Sequence, residues 1–111
     1  MKQDKIYEIG DIAADAQVKI QQAYKNLDPV VSISRAMRKS GFPADTMTIE
    51  CLTSKKRILV ILHDDHPKTI NYQFGFSNED PGPDFISLAT DALTQEQIFD
   101  WIKDYFVEGK N

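Results

Sequence analysis

Apolar positions in the first part of the chain recur at steps of three and four: Ile6, Ile9, Ala13, Ala16, Ile20, Ala23 and Leu27. That spacing places them on one face of a helix. Ile12 and Val18 lie beside the stripe and widen it. Gly10 falls inside the pattern, where its backbone freedom disfavours helix, so the helix is predicted over 11–26. Asp28-Pro29 then pairs a good N-cap with the one helical position that tolerates proline. A second helix is predicted over 29–40, with Val30, Ile33, Ala36 and Met37 as its apolar face. Arg35, Arg38 and Lys39 would complement its dipole, and Gly41 with Pro43 would end it. The short connection between the two predicts a helical hairpin.

Beyond Gly41 the period falls to two. Met47, Ile49 and Cys51 alternate with Thr46, Thr48 and Glu50, which predicts a half-buried strand over 46–52. Residues 57–63 are apolar on both faces and read as a central strand, and 69–76 alternates again through Ile70, Tyr72, Phe74 and Phe76. Turn formers at 77–84 lead to a fourth predicted strand, 85–89. Thr94 with Gln97 forms a capping box, and Leu93 with Ile98 has hydrophobic-staple spacing. The closing helix is predicted over 94–107, carrying Ile98, Trp101, Ile102, Tyr105 and Phe106 on one face. The expected fold is α+β in the order ααββββα, a single domain over 1–111. It comprises an N-terminal helical hairpin, an antiparallel four-strand meander and a C-terminal helix packed on the sheet.

Composition narrows the function classes. With 13 Lys and Arg against 17 Asp and Glu, the net charge is -4, which disfavours nucleic acid as a partner. The longest apolar run, 58–62, is far too short to span a membrane. The N-terminus lacks the apolar stretch of a secretory signal, so a cytoplasmic location is expected. Cys51 is the only cysteine, which excludes an internal disulfide and a thiolate-rich zinc site; on a buried strand face it is expected to be inert. The five glycines are scattered singly and form no phosphate-binding loop, and no cofactor is expected.

Candidate chemistry sits in four places. His63, Asp65 and His66 combine residue types that divalent metals prefer, on a turn that could aim them together; a solvated turn is the plainer reading. Glu79, Asp80 and Asp84 lack the alternating spacing of a calcium loop and read as a solvated surface. Arg35, Arg38, Lys55 and Arg57, with Lys39 and Lys56, would form an anion-binding patch if the second helix ended beside the first hairpin turn. Ile9, Ala13, Ala16 and Ile20 make a narrow small-residue seam that could bring two helices together in a homodimer, or could simply be core.

The order of helix, antiparallel sheet and helix resembles that of small bacterial secretion chaperones, a likeness of architecture that implies partner binding. The expectation is a bacterial-type accessory domain, non-enzymatic, acting by self-association or by protein contact through a helix face or a sheet edge. The alternative is a small-ligand or metal-binding protein using the sheet face near Tyr72 and the His63/His66 turn.

Overall fold

The computed structural model describes residues 5–108. Helix α1 spans Lys5–Ala23 and buries Ile6, Ile9, Ala13, Ala16 and Ile20. It starts before Gly10 rather than after it, because Gly10 is itself buried beneath the side chain of Ile33. A glycine that looks unfavourable for helix propensity is here the point of close approach between helix and sheet.

The second predicted helix is the main correction. Residues Val30–Ser34 form strand β1, and only Ala36–Lys39 make a helical turn, α2. Val30, Val31 and Ile33 are β-branched, which suits a pleated surface better than a helix, and Ser32 and Ser34 alternate with them. Pairing settles the conformation: β1 runs antiparallel to β2, Ala44–Glu50, from Val30 opposite Glu50 to Ser34 opposite Thr46. Asp28 therefore caps no helix. Its carboxylate accepts a hydrogen bond from Gln21, and Gln17 donates to the Pro29 carbonyl, so the last turns of α1 hold the entry to β1.

The remaining strands fall close to their expected places: β3 Lys56–His63, β4 Thr69–Phe76 and β5 Ile86–Ala89. The sheet has five strands, not four, in the order β1-β2-β3-β4-β5, with every neighbouring pair antiparallel. β3 is central, as its two-sided apolar pattern requires.

A 3-10 turn, Thr90–Ala92, leads into helix α3, Gln95–Ile102, which widens into a π-helical turn over Lys103–Val107. The capping box forms in part as predicted, since the Gln97 amide donates to Thr94 Oγ1 at 3.1 Å. Leu93 and Ile98 are both buried, completing the staple. Trp101 packs 4.4 Å from Tyr72, and Tyr105 stacks on Phe74 at 5.1 Å between ring centroids. These contacts dock α3 on the sheet. One continuous core joins α1, α3 and one sheet face, represented by Met47, Ile49, Ile58, Val60 and Ile70. Full burial of an Ile side chain such as Ile98 stabilises by about 1.5–3 kcal/mol before conformational entropy is subtracted. No helix among the described residues is long and apolar enough to cross a membrane.

Candidate functional site

The helix seam is not a surface. Ile9 is 1% exposed and Ala13, Ala16 and Ile20 are 0% exposed, all within the core of their own chain. A docking seam must be accessible in the monomer, so these four residues serve packing. The same holds for the sheet face near Tyr72, whose ring lies against Trp101 and Phe74.

The His63 turn does not assemble a metal set. The His63 and His66 rings approach to 5.8 Å between centroids, but His63 Nδ1 accepts the Asp65 amide at 3.1 Å, occupying that lone pair. Asp65 stays exposed, its carboxylate 3.8 Å from the same nitrogen. Among the described residues no group of three or more His, Cys, Asp and Glu side chains is placed to hold a metal ion. The edge of the His63 ring instead packs against Phe42 at 5.1 Å.

The basic residues divide into two sets. Arg35 and Arg38 lie where Ala44 faces His63, whereas Lys55 and Arg57 lie at the other end of the β2–β3 hairpin, where Glu50 faces Arg57. Six residue steps along the strands separate the two ends, about 20 Å, so they form no common patch.

At the first end, Arg38 donates to Asp45 from Nε at 2.7 Å and from Nη2 at 2.9 Å, and to Asp64 at 2.6 and 2.8 Å. Arg35 adds a bond to Asp45 at 3.0 Å and lies over the Tyr7 ring. The Arg38 hydrogen bonds are the main reason that Asp45 titrates below the usual carboxylate range; burial opposes them, and Arg35 assists. Asp64 is lowered by the same guanidinium, and the Arg38 pKa is raised in return, chiefly by Asp45 and then by Asp64. A cavity of about 280 Å³ adjoins the cluster. With two guanidiniums already engaged by two carboxylates, the network pins α2 and the His63 turn to β2 rather than waiting for an anion.

Asp45 carried a signal in the sequence that the expected strand, starting at 46, left out. It shares the parity of Met47 and Ile49, and its side chain is only 4% exposed. A carboxylate on the apolar side of a strand requires a cation partner. Cys51, also on that side, is buried; burial raises its pKa, but hydrogen bonds involving Ser54 and Thr53 outweigh this and leave the thiol below its ordinary value.

Two of the features open to a partner or ligand stand out. One is the outer side of β1, whose backbone bonds only to β2: among the described residues, no backbone hydrogen bond outside that ladder involves 30–34. The other is the corner around Arg57, where a cavity of about 420 Å³ runs between the end of β4 and the acidic 79–84 loop. No protein-family model matches the chain, and neither a curated protein nor a solved structure does.

Proposed function

We propose that this protein is a non-enzymatic accessory domain that acts by self-association, through antiparallel pairing of β1 with β1 of a second copy. The observation that carries this reading is the undefended edge of β1. Edge strands are ordinarily protected by a charge, a proline, a bulge or a covering element, because their free N–H and C=O groups recruit other strands. Val30–Ser34 contains no charge and no proline, and nothing among the described residues pairs with its outer side.

The strand is also self-complementary. A two-fold axis at Ser32 sets Val31 opposite the partner's Ile33 and Val30 opposite the partner's Ser34, so no like charges meet across the join. Gln17 and Gln21 already hold Pro29 and Asp28, which limits pairing to the five residues of β1. The resulting sheet would run continuously through both copies.

Sedimentation velocity of the full chain, from about 1 to 200 micromolar, tests this reading. The expected result is a concentration-dependent dimer that Ser32→Lys converts to monomer. Ser32 is exposed, so the substitution leaves the core intact, and two lysines meeting at the axis would repel. A wild-type chain that stays monomeric throughout, or a dimer that Ser32→Lys leaves unchanged, overturns the reading.

A further inference from the structure

Arg57 is anomalous among the cations of this fold. It faces Glu50 on β2 and Gly75 on β4, yet its guanidinium makes no hydrogen bond or ion pair among the described residues. Its Nε is buried without a partner, the only such side-chain nitrogen or oxygen among them. Because the Nε is enclosed by protein, the guanidinium can engage a ligand only through its terminal Nη groups.

The surroundings are formed in advance. Nη2 lies 3.4 Å from the point where a Cβ on Gly75 would stand, so the missing side chain gives the guanidinium its place across β4. Gln73 Nε2 donates to the carbonyls of Gly82 at 3.0 Å and Asp84 at 2.8 Å, holding the acidic loop against the strand. On the other wall, the Tyr105 hydroxyl donates to the Gly75 carbonyl at 2.7 Å. Burial raises the pKa of that phenol, Arg57 pulls it down and Glu79 pushes it up, so both charges are felt at one side chain. Phe76, 39% exposed, and Phe74 supply apolar surface.

Charge selects the ligand class. Arg57 stands against Glu79, Asp80 and Asp84 in the lining of one cavity. A simple anion would be repelled by the excess of carboxylates, while a simple cation would leave the guanidinium unpaired. We propose that this corner binds a zwitterionic α-amino acid with a bulky apolar side chain. Its carboxylate meets Arg57, its ammonium faces the acidic loop, and its side chain lies against the exposed Phe76. The cavity, about 420 Å³, lies within the range of small-molecule sites. The proposal is independent of the β1 edge, from which Arg57 is separated by β2.

Titration of the isotope-labelled full chain with L-phenylalanine, followed by amide NMR, tests it. Saturable shifts are expected at Gly75, Phe76 and the 79–84 loop. N-acetyl-phenylalanine, which keeps only the anion, and phenylalaninamide, which keeps only the cation, should each bind at least about tenfold more weakly. Arg57→Gln should lose a similar factor while its spectrum remains that of a folded chain, and Glu79→Gln, on the exposed loop, should weaken phenylalanine more than N-acetyl-phenylalanine. The proposal is overturned if phenylalanine, tyrosine and leucine all fail to give saturable shifts at about 10 mM. It is equally overturned if the capped compounds bind as well as phenylalanine, or if folded Arg57→Gln binds normally.

Discussion

The δ-methyl of Ile33 lies 2.5 Å from where a side chain on Gly10 would begin. Helix α1 and strand β1 therefore meet where a methyl on Gly10 would have to displace the end of the Ile33 side chain.

That relationship predicts a change of sign in a double-mutant cycle. Gly10→Ala gains helix propensity worth about 1 kcal/mol but forces Ile33 from its rotamer in a packed contact, at about 1–3 kcal/mol. The net expectation is a loss of about 1 kcal/mol. In an Ile33→Val background the clashing carbon is gone, and the same Gly10→Ala change should stabilise by a few tenths to about 1 kcal/mol. Urea unfolding of the four proteins measures both values. Equal effects in the two backgrounds would remove Ile33 as the reason for Gly10.

Asp45→Asn tests the ion network just beyond the same end of β1. Its carboxylate is 4% exposed and accepts from two guanidiniums, whereas Arg35 and Arg38 remain 36% and 32% exposed. Breaking a fully buried pair costs about 3–5 kcal/mol; with the cations partly in water, about 2 kcal/mol is expected. Loss of well under 1 kcal/mol in denaturant unfolding at neutral pH would mean that the guanidiniums are satisfied by solvent alone.

Acid should abolish that difference. The folded-state pKa of Asp45 lies below its ordinary value of 3.8, because hydrogen bonds from Arg38, with help from Arg35, outweigh burial. The unfolded chain therefore takes up the proton first, and the stabilisation is complete above the unfolded pKa and lost as pH falls through the folded one. The stability gap between wild type and Asp45→Asn should be constant above about pH 5 and shrink steadily below about pH 4. A gap that persists unchanged in strong acid would exclude the carboxylate charge as its source.

These residues also show what could be read from the chain in advance. The meander, its central strand and the capped closing helix follow from local signals: alternation at Met47, Ile49 and Cys51, apolar character on both faces of 57–63, and Thr94 before Gln97. The 29–40 segment did not, because Asp28-Pro29 imitates a helix start while Val30, Val31 and Ile33 favour a strand, and the choice is made by pairing with β2. Convergence was equally hidden. Arg38 reaches Asp45 and Asp64 only because α2 closes over the sheet end, while Arg57 lies a hairpin's length away from both. Side-chain types were legible; the side of the sheet from which each approaches depends on topology.

The cap on α3 offers a test of how locally that helix is held. Thr94 has extended backbone angles, φ -97 and ψ 168, and its hydroxyl oxygen accepts the Gln97 amide. Thr94→Ala removes that acceptor and should cost about 1 kcal/mol, with Thr94→Ser or Thr94→Asp restoring most of it. The buried Leu93 and Ile98 staple is untouched by the change, and docking rests on Trp101 against Tyr72 and Tyr105 against Phe74. Trp101 is the only tryptophan, so its fluorescence reports that docking directly. The unfolding midpoint should therefore fall while the emission of the native protein stays where it was. A red-shifted native emission without denaturant would show that the cap, and not the aromatic stack, sets the position of the helix.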